Sequence, residues 1–169
     1  MTTKVLTTDY VWPSTDPERE VLEAAGIELV TALDASESTL ADLAQDVDAI
    51  MFCFAQVTGK VLEAATNCKI AARYGIGVDN VDIARATELG IVVTNVPDYC
   101  MDEVTDHALG MILALNRRLV PHTTSVVAGG GNDVVLNQPM HRTRGATLGI
   151  VGFGRIGRSL AAKAVGFGM

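Results

Sequence analysis

The run Thr147-Leu148-Gly149-Ile150-Val151-Gly152-Phe153-Gly154-Arg155-Ile156-Gly157 spaces three glycines as G-x-G-x-x-G between an apolar stretch and a helical one. That spacing suits a phosphate chemistry: Gly152 permits a tight turn, Gly154 lets a pyrophosphate approach the backbone, and Gly157 lets helix and strand pack closely. The free amides at the helix start add partial positive charge, and Arg155 and Arg158 add formal charge nearby. A glycine-rich turn without a ligand is the competing reading. The usual companion, an acidic residue about 20 positions on that binds the ribose hydroxyls, is not among the residues after Gly152, so the choice between NAD and NADP stays open.

A second candidate is Arg73-Tyr74-Gly75-Ile76-Gly77-Val78-Asp79-Asn80-Val81-Asp82, where a strand-like segment ends in two glycines and an Asp-Asn pair. Glycines there can turn successive amides toward one point, an anion nest suited to a carboxylate. The alternative is a strand-to-helix turn with Asp79, Asn80 or Asp82 as the cap. His107 has Glu103 one helical turn before it, an arrangement as common on helix faces as in acid/base pairs. His122 and His141 lie in or beside loop without ligand spacing, and Cys100 near a helix start has no visible base partner. No metal site and no catalytic residue is assigned.

The elements that must hold these residues follow from patterning. Five strands are expected, at Val5–Thr8, Ile27–Val30, Ala49–Phe54, Ile70–Tyr74 and Ile91–Thr94, each rich in β-branched or apolar residues. Helices fill the gaps between them, the pattern of a parallel sheet covered on both faces. One helix begins at Asp16 as cap, with Pro17 at its first position and Gly26 past its end; another runs from Asp82 to Leu89 and closes on Gly90. From Asp102 to Val120, apolar residues at steps of three and four predict a long helix buried on more than one side. His122 to Gly145, with its glycines, Asn132, Asp133, Asn137 and Pro139, reads as a loop or inter-domain crossing. A strand Thr147–Val151 and a helix Arg155–Val165 follow, and such a strand needs outside partners.

Composition narrows the function classes. The chain has 169 residues, 49% of them hydrophobic and 20% charged, which excludes intrinsic disorder. Its net charge is -7, and an acidic bulk of this kind argues against nucleic acid as the main partner. No apolar run approaches the ~20 residues of a membrane span. The start of the chain has no apolar signal core, and the three cysteines fit neither a disulfide framework nor a zinc site, so a cytoplasmic setting is expected.

Together these segments resemble the D-isomer-specific 2-hydroxyacid dehydrogenase family, which includes phosphoglycerate dehydrogenase and the C-terminal-binding-protein corepressors. The resemblance rests on four ordered motifs: Arg73–Asp82, Gly90–Pro97, Glu103–Arg118 and Leu148–Gly168. Asn95-Val96-Pro97-Asp98-Tyr99-Cys100 with Glu103-Val104 is especially similar to the branch holding the corepressors and their bacterial dehydrogenase relatives. Glyceraldehyde-3-phosphate dehydrogenase also carries G-F-G-R-I-G, but at its very start, and is set aside on position. Relatives often show a tryptophan after the glycine in the region of Gly129 to Asp133, which this chain lacks.

The resemblance implies a flavodoxin-like substrate domain over 1–100, an inter-domain helix over 101–121, and the beginning of a Rossmann dinucleotide-binding domain, truncated, over 122–169. It implies that Gly75, Ile76 and Gly77 bind the substrate, with Ile76 also touching cofactor, and that Gly152, Phe153, Gly154, Arg155, Ile156 and Gly157 bind NAD or NADP. The family's catalytic arginine, glutamate and histidine would fall beyond residue 169, leaving a fragment inactive by itself. The expected activity is NAD-dependent oxidoreduction of a D-2-hydroxy acid in a homodimer formed through the 101–120 helix. The alternative is a corepressor-like protein that senses NAD(H).

Overall fold

The computed structural model describes residues 2–131 and 140–169 and divides them into two compact units, Met1–Tyr99 and Cys100–Met169. In the first, five short strands alternate with helices: β1 (Lys4–Thr7), α1 (Asp16–Ala24), β2 (Glu28–Thr31), α2 (Glu37–Ala44), β3 (Ala49–Phe52), α3 (Gly59–Ala64), β4 (Ile70–Arg73), α4 (Ile83–Glu88) and β5 (Val92–Thr94). All pairs are parallel and the order is β2-β1-β3-β4-β5, the flavodoxin-like doubly wound order. β1 runs to β2 in one direction and the chain then returns past β1 to β3. Right-handed crossovers therefore put α1 on the opposite face from α2, α3 and α4.

The core is on the α2–α4 face, where Leu6, Ile50, Phe52 and Ala71 of the sheet meet Leu40 and Ala44 of α2, Val61 and Leu62 of α3, and Ala86 of α4. α1 on the other face buries no residue completely. Its N-cap is Thr15 rather than the expected Asp16: Asp16 is already helical, and its carboxylate accepts from the Ser14 hydroxyl at 2.7 Å. α4 starts as expected, with the Asp82 carboxylate accepting the Arg85 amide at 2.9 Å.

The second unit corrects four expectations. The predicted helix from Asp102 to Val120 is two helices, α5 (Met101–Asn116) and α6 (Leu119–Val127), separated by Arg118 in the left-handed region at φ 53°. Pro121 is the cause. In a continuous helix its ring would strike the carbonyl of Arg117, whereas in the first turn of a new helix its missing N–H costs nothing. α6 therefore occupies the start of the segment expected to be loop; Asn132, Asp133, Asn137 and Pro139 lie outside the described residues. Within α5 only Thr105 and Leu109 are buried, so one side of the helix is covered and not several.

The expected strand Thr147–Val151 does not form: no neighbour pairs with it among the described residues, and an apolar run becomes a strand only through a partner's ladder. α7 (Arg155–Gly166) follows and packs on α5. There Lys163 Nζ reaches Asp106 at 2.6 Å, Asp102 at 3.1 Å and the buried Thr105 hydroxyl at 2.7 Å. Among the described residues no helix is long and apolar enough to cross a membrane.

Candidate functional site

In a parallel sheet the carboxyl ends of all strands lie on one edge, and the loops that leave it are free to bind ligands. β4 ends there at Arg73. The Tyr74 amide still donates to Phe52 O at 2.8 Å, and then the chain leaves the sheet through Gly75-Ile76-Gly77. All three carbonyls of this turn are used by the protein. Gly75 O accepts the Val96 amide at 2.9 Å, Ile76 O accepts Asn95 Nδ2 at 2.8 Å, and Gly77 O accepts Arg73 Nε at 3.1 Å. Among the described residues nothing accepts from the three amides. A segment that spends its acceptors and keeps its donors is suited to an anion.

Neighbouring loops brace the turn. Asp9, just past β1, accepts three successive amides of the loop after β3: Cys53 at 2.9 Å, Phe54 at 2.6 Å and Ala55 at 3.1 Å, with the Thr8 hydroxyl at 2.8 Å. On the same loop, Cys53 O and Ala55 O accept Asn80 Nδ2 at 3.1 and 2.8 Å, while Asn80 O accepts the Val57 amide at 2.8 Å. The Arg73 guanidinium lies 5.9 Å from the centroid of the buried Phe52 ring and 5.6 Å from that of the exposed Phe54 ring.

Burial pushes the Asp9 carboxyl upward, but the Cys53, Phe54 and Ala55 amides and the Thr8 hydroxyl outweigh it and hold the pKa below the ordinary 3.8. A depressed carboxyl contributes stability that is complete above its unfolded pKa and is lost as pH falls through the folded value. Acid unfolding below about pH 4 should therefore be shallower in Asp9→Asn than in the parent, relative to each protein's stability at pH 7. Parallel acid titrations followed by circular dichroism measure this; identical relative profiles would remove Asp9 from the acid response. Burial, then the Asp9 charge, push the Cys53 thiol up, and burial raises the Tyr74 hydroxyl to about 12. Neither group is set for proton exchange at neutral pH.

The second unit carries the glycine turn. Gly152 has φ 89°, a conformation side chains resist, and Gly154 caps α7 in extended conformation. Gly154, as the N-cap, has no side chain with which to cap α7. A Cβ built at Gly154 meets nothing within 4 Å, whereas one at Gly157 collides with the Gly152 carbonyl. The turn is thus closed toward its own helix and open at Gly154, the shape a dinucleotide pyrophosphate requires. Arg155 and Ile156 lie in the first helical turn and Phe153 is exposed.

Of the sequence-predicted site residues, Gly75, Ile76 and Gly77 thus share one turn of the first unit, and Gly152 to Gly157 share one turn of the second. Asp9 and Asn95 were missed, and Asn80 was foreseen only as a possible cap. Asp9 and its amide partners are 44 to 46 positions apart, a separation without any local signal. His107 and Glu103 are both exposed on α5, and Cys53 and Cys68 are buried free thiols. No cluster able to hold a metal ion occurs among the described residues.

Comparison with known proteins gives a consistent set of matches. The family model described as D-isomer specific 2-hydroxyacid dehydrogenase, catalytic domain, matches residues 5–164. A glyoxylate reductase of Thermococcus gammatolerans is 38% identical over 164 residues, 94% of this chain and 44% of its own length. A D-3-phosphoglycerate dehydrogenase of Methanocaldococcus jannaschii is 35% identical over 168 residues, 98% of this chain and 31% of its own. An NAD-dependent formate dehydrogenase from Staphylococcus aureus, solved in complex with NAD, superposes with a TM-score of 0.83 at 28% identity, covering 98% of this chain and 54% of that one. The chain therefore spans less than half the length of these curated relatives and about half of the solved chain.

Proposed function

Because the chain belongs to the D-isomer specific 2-hydroxyacid dehydrogenase family, we propose that the whole protein interconverts a 2-keto acid and a D-2-hydroxy acid using NAD, with NADP as the alternative cofactor. The observation that carries this reading is the Gly75–Gly77 turn, whose carbonyls are all occupied and whose amides are all unspent among the described residues. In this reading those amides take the negative charge of the substrate carboxylate. Arg73, tied to Gly77 O, adds positive charge beside them. Residues 1–100 form the substrate domain, 101–121 the inter-domain helix, and 122–169 the start of the dinucleotide-binding domain.

Gly152, Phe153, Gly154, Arg155, Ile156 and Gly157 hold the pyrophosphate at the start of α7, where the backbone at Gly154 is open. A nicotinamide held there would supply hydride-transfer chemistry for the substrate's second carbon. This chain's own residues bind and orient: the first glycine turn fixes one end of the substrate, with the Ile76 backbone beside the nicotinamide, and the second anchors the cofactor. Exposed Met111, Leu115, Leu119 and Val120 support pairing of two copies through the 101–120 region.

The test is NADH oxidation by the whole protein with glyoxylate, hydroxypyruvate and larger 2-keto acids, in parent and two variants. At Gly77 a Cβ has only the flexible Asp79 carboxylate near it, at 3.4 Å, so Gly77→Val folds but crowds the amides; 2-keto acid KM should rise about tenfold with NADH KM nearly unchanged. Gly154→Val should do the reverse by blocking the pyrophosphate. Equal effects of both substitutions on both ligands would reduce Gly75–Gly77 to a structural turn.

A further inference from the structure

The edge of the sheet contains a chain of polar contacts that reaches the candidate carboxylate site from the far side of β3. It starts at Asp9, whose two carboxylate oxygens accept Cys53, Phe54 and Ala55 amides and the Thr8 hydroxyl. Charge-assisted bonds of this kind are shorter and stronger than neutral ones. The amides of one side of the loop being spent on Asp9, Cys53 O and Ala55 O are held apart at a spacing that one donor, Asn80 Nδ2, bridges. Asn80 is fastened a second time through its own carbonyl to the Val57 amide. It follows Gly77 by three residues, and the intervening turn is closed by the Val81 amide on Val78 O.

We propose that Asp9 is a positioning residue for the substrate carboxylate: it fixes the loop after β3, that loop fixes Asn80, and Asn80 sets the place of the Ile76 and Gly77 amides. This rests on the dehydrogenase reading for its kinetic consequence but not for its structural one. Arg73, at the end of β4 itself, and Asn95, just past β5, also hold carbonyls of the same turn. If they sufficed, Asp9 would matter for stability alone, and the two cases give different results.

The experiment compares parent, Asp9→Asn and Asn80→Ala by amide NMR of the 169-residue chain and by NADH-linked kinetics of the whole protein. Asn at position 9 keeps the shape but turns a donor toward amides that need an acceptor. Expected are shifted Ile76 and Gly77 amide resonances in both variants, a 2-keto acid KM raised about tenfold, and an NADH KM within about twofold of the parent. Shifts confined to residues 53–55, an unchanged 2-keto acid KM, or both KM values moving together would each overturn the proposal. Should Asp9→Asn fail to fold, Asn80→Ala decides: it cuts the second link and leaves the Asp9 contacts in place, and unmoved Ile76 and Gly77 amides there overturn the proposal. A parent that reduces no 2-keto acid defeats the dehydrogenase reading, while the resonance shifts still decide the role of Asp9.

Discussion

Gly157→Ala should lower the stability of the second unit by about 3 kcal/mol, read as a fall in the urea midpoint. Alanine in a helix ordinarily gains about 1 kcal/mol over glycine, and Gly157 lies inside α7, so the sign of the result is informative. The added carbon would sit far inside the 3.0 Å that real Cβ atoms keep from a neighbour, against the backbone carbonyl of Gly152, with Ile150 Cγ2 at 3.3 Å behind it. Backbone cannot swing aside as a flexible side chain can, so either the turn opens or the helix moves off it. Gly154→Ala is the control. Nothing lies within 4 Å of its Cβ, and its midpoint should stay within the ~0.5 kcal/mol typical of surface changes. Similar midpoints for the two variants would show that the turn and α7 are not packed as described.

Phe52→Ala should cost the first unit about 3–5 kcal/mol. The ring is fully buried beside Leu6, Ile50 and Val57 in the core on the α2–α4 face, where a truncated side chain leaves a cavity that short strands cannot collapse to fill. Phe54, two residues on, has its ring a similar distance from the Arg73 guanidinium but is 64% exposed. Its removal forfeits a solvent-exposed cation–π contact worth about 0.5–1 kcal/mol. The ratio of the two effects separates burial from ring stacking. Comparable losses in chemical denaturation would mean that Phe52 is no more deeply packed than Phe54.

Much of the fold was legible because it is written locally. Strands buried in a parallel sheet read as apolar, β-branched runs, so Val5–Thr8 and Ile27–Val30 sit within one residue of β1 and β2. The expected Ala49–Phe54 ran two residues too far, and Asp9 is the reason: it takes the Cys53 and Phe54 amides out of the ladder. Pro121, in an otherwise helical pattern, is the local signal for the break at Arg118. Thr147–Val151 has the composition of a strand, but a strand is a property of two chain segments, and its composition described only one. The glycine turns were legible for the same reason as the strands, since G-x-G and G-x-G-x-x-G act over a few residues. Asp9, Asn80 and Asn95 do their work across the sheet edge, where only the folded register brings the partners together.

The all-parallel register also has a kinetic side. No neighbouring pair in the sheet is a hairpin that could zip from a tight turn; each closes over a helix, and Val5 must find both Leu29 and Ala49. Loop-closure entropy is spent before any of these pairings returns stabilisation, which places the first unit among slowly folding, high-contact-order topologies. Asp9 cannot meet Cys53 to Ala55 until β1 and β3 are in register, nor can Asn95 reach Ile76 before β5 joins β4. The glycine turn at the sheet edge is therefore assembled late, after the apolar core has already committed the chain to its topology.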